Sequence, residues 1–183
     1  MTVTAQILGI IGMALNILSF QFKSKKNILL GQLLGSVAFV ANMFMLGAIM
    51  GGILNIIGIA RAAVYMDKER LKISPKALNL LFVIVYLVSY VLVFTVFGKT
   101  PNATNLLVEF IPIIGMTVMT FGFSGKSART VRLCSFINSP CWLVYNCINL
   151  SIGGILCEIF SIVSSVSAFI RLDLKGKAEK KEA

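Results

Sequence analysis

Seven apolar runs divide this chain, and each is long enough to cross a lipid bilayer as a single helix. A transmembrane helix needs roughly 17–25 mainly apolar residues, because the hydrocarbon core of a bilayer is about 30 Å thick. Only 13% of the 183 residues are charged and 57% are hydrophobic, whereas about a quarter of a soluble domain is charged. We therefore predict an all-α membrane protein whose first partner is the lipid bilayer. The seven predicted transmembrane helices cover residues 5–22, 28–48, 49–66, 78–97, 105–123, 131–150 and 151–172.

A stretch of this sequence occurs twice. Residues 10–13 and 113–116 both read IIGM, at an offset of 103, and residues 51–54 and 153–156 both read GGIL, at an offset of 102. Each copy also contains a basic turn, at 23–26 and at 126–129. An internal repeat of this length indicates a repeated structural unit. We expect two parallel three-helix repeats, at 5–66 and 105–172, joined by a linker helix at 78–97 (a 3+1+3 arrangement).

The basic residues indicate an orientation in the membrane. When sides are assigned alternately after each predicted helix, Lys99 falls on one side and the other 16 lysines and arginines fall on the opposite side. Basic residues are concentrated in cytoplasmic loops, so we expect the N-terminus outside and the C-terminus in the cytoplasm. The charged tail at 173–183 is expected to be disordered. Residues 1–6 contain no basic residue, so the first helix is expected to be retained rather than cleaved as a signal peptide.

Several functional classes are disfavoured by the residues present. The net charge of +10 is explained by membrane orientation better than by nucleic-acid binding. The chain contains no histidine, and its four cysteines form no C-x-x-C pair, so we predict no metal site and no cofactor. No catalytic group of residues is evident, so we expect the protein not to be an enzyme.

Two polar residues inside the predicted helices are candidates for a binding site. Glu158 follows Gly153 by five residues, about 7–8 Å into the last helix. A carboxylate at membrane depth is costly and often functional, but a structural partner or a position that reaches water would also account for it. Asn55 matches Glu158 at the offset of 103 and could equally make an interhelical hydrogen bond. The sequence leaves open whether these two residues face each other, because the glycines near them align at 102.

An aromatic and amide group on the sixth predicted helix forms a second candidate. Trp142, Tyr145 and Asn146 are spaced at i, i+3 and i+4 and therefore share one helix face. Trp142 lies near the middle of its run, which favours a stacking wall for a solute over an anchor at the membrane interface. Phe39 and Asn42 match Trp142 and Tyr145 at the offset of 103, and we include them in the predicted site.

Two further charged residues are predicted to have ordinary roles. Glu109 begins the fifth helix and is expected to face water. Arg61 lies toward the cytoplasmic end of the third helix, where we expect its side chain to reach the interface and act as an anchor.

The whole chain, over about residues 6–172, resembles the YgjV-type bacterial inner membrane proteins. The resemblance rests on the segments CWLVYN at 141–146, SIGG at 151–154 with Glu158 after it, and ILN at 53–55 with Arg61. The arrangement of two three-helix repeats also resembles that of SWEET and PQ-loop transporters. These resemblances imply a transporter-like fold in an inner membrane.

The comparison with sugar-carrying SWEETs is partial. There, a tryptophan on the sixth helix and asparagines on the third and seventh helices line the pocket, and Trp142 and Asn55 match in type. Glu158 replaces the second asparagine. The Pro-Gln pair expected near the end of the first helix is Phe20-Gln21 here, so the proline hinge of those carriers is missing at that position.

Two functions follow as hypotheses. The first is a SWEET-like carrier of an unknown small solute, with a pocket between the repeats at the membrane midplane. Asn55, Trp142 and Glu158 would line it, and Glu158 would bind a cationic or hydroxylated group or couple transport to protons. The second is a non-transporting membrane scaffold or assembly protein, whose centre would be packed shut. A homo-oligomer is compatible with either hypothesis.

Overall fold

The computed structural model describes residues 3–66, 73–125 and 127–171, and within these ranges the chain is helical with short connections. Each of the seven predicted apolar runs overlaps one helix. The tail at 173–183 lies outside the described residues, as do Lys68, Arg70, Lys72 and Lys126 of the basic loops. The helices are α1 (Val3–Gln21), α2 (Lys25–Met45), α3 (Ile49–Met66), α4 (Pro75–Thr95), α5 (Ala103–Ser124), α6 (Ala128–Ile148) and α7 (Ile152–Ala168).

Among the described residues, six helices are long and apolar enough to cross a membrane, where the sequence predicted seven such spans. The exception is α6, which is long enough at 21 residues but carries more polar side chains than the others. Several of these polar side chains are buried inside the bundle. They lower the mean hydropathy of α6, although the helix is as long as its neighbours. Its polar and charged residues include Arg129, Arg132, Ser135, Asn138, Ser139 and Asn146.

Large apolar side chains cover the outside of the bundle. Val3 is 75% exposed, Leu107 is 68% exposed and Val163 is 60% exposed, and they belong to three different helices. Soluble proteins rarely expose apolar surface over so much of their circumference. This surface fits a lipid environment.

Six of the helices pack side by side in a closed ring. Contacts join α1 to α2, α2 to α3, α3 to α5, α5 to α6, α6 to α7, and α7 back to α1. Helix α4 packs against α3 and α5. It is attached there by polar contacts, since the Tyr65 hydroxyl of α3 donates to Asn79 Oδ1 of α4 at 2.5 Å, and Asn79 Nδ2 donates to the Ser124 hydroxyl of α5 at 3.2 Å.

The α2–α3 and α6–α7 turns have matching backbone hydrogen bonds at an offset of 103 residues. In the first turn, the Ala48 N–H donates to the Met43 carbonyl at 3.0 Å, and in the second the Ser151 N–H donates to the Asn146 carbonyl at 3.0 Å. The two donors are 103 residues apart in the sequence, and so are the two acceptors. The turns therefore follow the offset of 103 and not the offset of 102 at which the glycines align.

The residue before each donor adopts a left-handed backbone conformation, with φ of 74° at Gly47 and 52° at Leu150. Glycine adopts this conformation without strain, whereas leucine does not. Asn55 and Glu158 follow these turns at equal distances. They consequently occupy matching positions in α3 and α7.

The α1–α7 contact depends on two glycines. A Cβ added to Gly153 would lie 2.7 Å from the backbone Cα of Gly9. The two helix backbones thus touch directly at this point, and a larger residue at position 153 would force them apart.

Candidate functional site

A polar cavity lies among the six helices of the ring. It has an empty volume of about 740 Å³, which includes its opening to solvent, and its lining comes from α1, α2, α3, α5, α6 and α7. Phe39 and Trp142 both belong to this lining. Besides two charged residues, the polar lining consists of Asn16, Gln32, Ser36, Asn55, Asn138, Ser139, Asn146 and Ser161.

Five of the six residues predicted from the sequence for a binding site line this cavity. Asn55 comes from α3 and Glu158 from α7, and the other three come from α2 and α6: Phe39, Trp142 and Asn146. Trp142 is 7% exposed and packs edge-on against Tyr145, with ring centroids 5.8 Å apart. The structure brings these residues together around one space, while their role in binding stays a prediction.

Asn42, the sixth predicted residue, lies outside the cavity lining. It is fully buried, and its Nδ2 donates to the Ala5 carbonyl at 2.7 Å. Its Oδ1 accepts from the Ser151 hydroxyl at 3.1 Å. The side chain therefore joins α2 to α1 and α7, because the rotation of α2 turns it toward these neighbours and turns Phe39 toward the cavity.

Glu158 contributes a carboxyl group to the cavity wall. Its side chain is half-buried, and it lies beside the Ser139 side chain on α6. Within residues 3–66, 73–125 and 127–171, no lysine or arginine forms an ion pair with it. The carboxyl group therefore faces the cavity without a cationic partner from the described chain.

Arg61 does not reach the interface as the sequence suggested. It is only 6% exposed, and its Nη1 donates to the Met116 carbonyl at 2.9 Å and to the hydroxyls of Tyr86 and Thr120, both at 3.3 Å. Its guanidinium carbon lies 4.7 Å from the centroid of the Phe123 ring. These contacts hold the charge inside the bundle, where it lines the cavity.

Helical periodicity could have identified Arg61. The residues of α3 that line the cavity are Leu54, Asn55, Gly58, Arg61 and Ala62. Both Leu54 and Asn55 lie three or four residues before Gly58, and Arg61 and Ala62 lie three and four residues after it, so the five define one helix face. The sequence interpretation placed Arg61 by its distance from the helix end, which says nothing about the direction of the side chain.

Glu109 does not face water, although the sequence led us to expect that it would. It is 1% exposed and forms an ion pair with Lys99 in the α4–α5 connection. Its Oε2 accepts a hydrogen bond from the Tyr145 hydroxyl at 3.2 Å, and that hydroxyl accepts from the Gly51 N–H at 3.0 Å. This chain of contacts joins α3, α5 and α6.

A family model described as "Bacterial inner membrane protein" and named Imp-YgjV matches residues 3–175. No curated protein matches the chain, and no solved structure matches it.

Proposed function

We propose that this chain, which belongs to the Imp-YgjV family of bacterial inner membrane proteins, carries a small solute across that membrane through the cavity of its helix ring. The observation that carries this proposal is Glu158. It is an ionisable group that lines the polar cavity, and it has no cationic partner among the described residues. Ionisable residues at such positions usually mark a substrate or ion pathway.

The proposed architecture consists of two parallel three-helix units, α1–α3 and α5–α7, with α4 as the helix that joins them. The matching hydrogen bonds of the α2–α3 and α6–α7 turns support this arrangement. So does the order of the ring, in which the α3–α5 contact corresponds to the α7–α1 contact. Carriers built from parallel repeats bind their substrate between the repeats, and here the cavity takes its lining from both units.

In the membrane, we place α6 as a seventh span and the cavity near the bilayer midplane. The polar side chains that lower the hydropathy of α6 include Asn138, Ser139 and Asn146, all of which line the cavity. They are therefore shielded from lipid. The distribution of basic residues puts the N-terminus outside and the C-terminus in the cytoplasm.

Transport through such a cavity requires that it open to each side in turn. The two seams between the units are the α1–α7 and α3–α5 contacts. The α1–α7 seam includes the close approach of Gly9 and Gly153. The α3–α5 seam is bridged by Arg61 through the Met116 carbonyl and the Thr120 hydroxyl. The unequal construction of the two seams suggests that they separate to different extents.

The experiment is uptake into proteoliposomes that contain the purified protein, with a panel of labelled sugars, amines, amino acids and nucleosides. Glu158→Gln and Trp142→Ala are expected to reduce the uptake of any transported solute at least about tenfold. If the unmodified protein transports no member of the panel, the carrier proposal fails and the scaffold hypothesis replaces it.

A matched pair of asparagines distinguishes an effect on the cavity from an effect on the stability of the protein. Asn55 Nδ2 donates to the Gly51 carbonyl at 2.8 Å, and Asn149 Nδ2 donates to the Tyr145 carbonyl at 2.9 Å. Both are bonds to the carbonyl four residues earlier, but only Asn55 lines the cavity. Asn55→Ala is expected to impair uptake and Asn149→Ala to preserve it. Equal effects of the two substitutions would count against a role for the cavity.

A further inference from the structure

Two opposite charges face the same cavity without contacting each other. Arg61 on α3 and Glu158 on α7 both belong to the lining, and they form no ion pair in the described part of the chain. Each charge is held in its own wall, Glu158 beside Ser139 of α6 and Arg61 beside Met116 and Thr120 of α5. The cavity therefore has a guanidinium group on one wall and a carboxyl group on the other.

Arg61 is held by neutral groups alone, which leaves its positive charge uncompensated. Its described partners are a backbone carbonyl, two hydroxyls and the face of an aromatic ring. Its Nε is buried and has no hydrogen-bond partner among the described residues. A buried charge is costly unless it is paired, so a carboxylate in the cavity would supply the counter-charge.

The same reasoning applies to Glu158 with the sign reversed. Its neighbour Ser139 is neutral, and an ammonium group in the cavity would compensate the carboxylate. A solute with only a positive charge would be repelled by Arg61, and one with only a negative charge would be repelled by Glu158. A solute that carries both charges satisfies both walls.

We propose that the solute bound in this cavity is a small zwitterion of the amino-acid type, with its carboxylate on Arg61 and its ammonium group on Glu158. This inference rests on the proposed carrier function and names the class of its substrate. The amides of Asn16, Asn55 and Asn146 lie around the same cavity and contact the uncharged part of the solute. Tyr86 and Thr120 act as positioning residues, because they fix the guanidinium through Nη1.

Equilibrium binding to the purified full chain in detergent tests the substrate class without requiring transport. The probes are the twenty common amino acids and glycine betaine. The tightest of the amino acids is then compared with two analogues of the same side chain, the amine that lacks the carboxylate and the acid that lacks the amino group. We expect each analogue to bind at least about tenfold more weakly than the amino acid, as loss of one charge-assisted contact implies.

Two variants assign each charge to its wall. In Glu158→Gln, the amino acid and its deaminated acid are expected to bind equally, since the ammonium group has lost its partner. In Arg61→Gln, the amino acid and its decarboxylated amine are expected to bind equally. Each result is a ratio of two affinities measured within one variant, so a general loss of stability does not imitate it. If Arg61→Gln does not fold, Arg61→Lys replaces it and is expected to bind the amino acid more tightly than the decarboxylated amine, by a smaller ratio than the unmodified protein.

The outcomes distinguish this inference from the carrier proposal. If none of these zwitterions binds, if a neutral polyol or nucleoside binds more tightly, or if the ratios are unchanged in the variants, the zwitterion site is overturned. Transport of such a neutral solute would at the same time leave the carrier proposal standing. Binding with the expected charge pattern but without uptake into proteoliposomes would retain the zwitterion site and refute the carrier.

Discussion

The ion pair between Lys99 and Glu109 gives a prediction about the free energy of unfolding that does not depend on the proposed transport function. Glu109 is 1% exposed and the Lys99 side chain is 33% exposed. Replacement of Lys99 by Met keeps the apolar stem but leaves the carboxylate with the hydroxyl of Tyr145 as its remaining described partner. Removal of one member of a fully buried pair costs about 3–5 kcal/mol. Because Lys99 is partly exposed and water screens the pair, we expect Lys99→Met to lower the free energy of unfolding by about 2 kcal/mol.

The double variant provides the control. In Lys99→Met with Glu109→Gln, no unpaired charge remains, and the amide oxygen of the introduced glutamine still accepts from Tyr145. The double variant is therefore expected to recover at least half of the lost stability, as happens when both partners of a buried polar pair are replaced together. Unfolding in a denaturing detergent, followed by circular dichroism, is measured for the unmodified protein, for Lys99→Met, for Glu109→Gln and for the double variant. If Lys99→Met loses less than about 0.5 kcal/mol, or if the double variant is as unstable as the single one, the assignment of Glu109 as a buried paired carboxylate is refuted.

Four glycine and turn substitutions test the packing of the ring by the same unfolding assay. Gly153→Ala is expected to cost about 1–3 kcal/mol, because its Cβ would lie 2.7 Å from the backbone of Gly9; a neutral result would contradict the close α1–α7 contact. Gly58→Ala, whose Cβ would meet its nearest neighbour at 3.6 Å, is expected to preserve stability but narrow the cavity and slow uptake. Leu150→Gly is expected to gain up to about 1 kcal/mol, since it relieves a φ of 52°. Gly47→Ala, at the matching turn with a φ of 74°, is expected to lose about the same amount, and equal signs for these two substitutions would refute the shared turn conformation.

The helices could be predicted from the sequence because their cause is local. Each apolar run has to form a helix in lipid, where every backbone hydrogen bond must be made within the segment. The short turns before residues 49 and 152 lie where predicted runs adjoin, at 48/49 and at 150/151. What the sequence did not provide was the register of the two copies. It took the backbone hydrogen bonds of the turns to place Asn55 and Glu158 at matching positions.

The roles of the charged residues could be predicted only in part. The sequence indicates Glu158 as a candidate because a carboxylate inside an apolar run is unusual, and its role in binding stays a prediction. Arg61 and Glu109 were misinterpreted because their environments come from other helices: the groups around Arg61 belong to α4 and α5, and those around Glu109 belong to the α4–α5 connection and α6. Distance along the chain from a helix end does not reveal such partners.

Asn42 illustrates a different limit. The sequence includes Asn42 in the predicted site because it matches Tyr145 at the offset of 103, and its spacing of three residues from Phe39 puts both on one face of α2. A helix face is broad, however, and a rotation by the width of one side chain decides which neighbour is contacted. Phe39 faces the cavity, whereas Asn42 binds α1 and α7. Only the packing of the ring determines that rotation.

The central claim, that the cavity opens to both sides of the membrane in turn, is tested most directly by thiol labelling. Asn55→Cys is prepared in a chain whose four native cysteines, Cys134, Cys141, Cys147 and Cys157, are replaced, and Val144→Cys on the exposed surface of α6 is the matched control. A membrane-impermeant thiol reagent is applied to right-side-out and to inside-out vesicles. The account predicts that the cysteine at position 55 reacts in both orientations while the one at position 144, facing lipid, reacts in neither. Labelling of position 55 in only one orientation, or in none, would contradict alternating access.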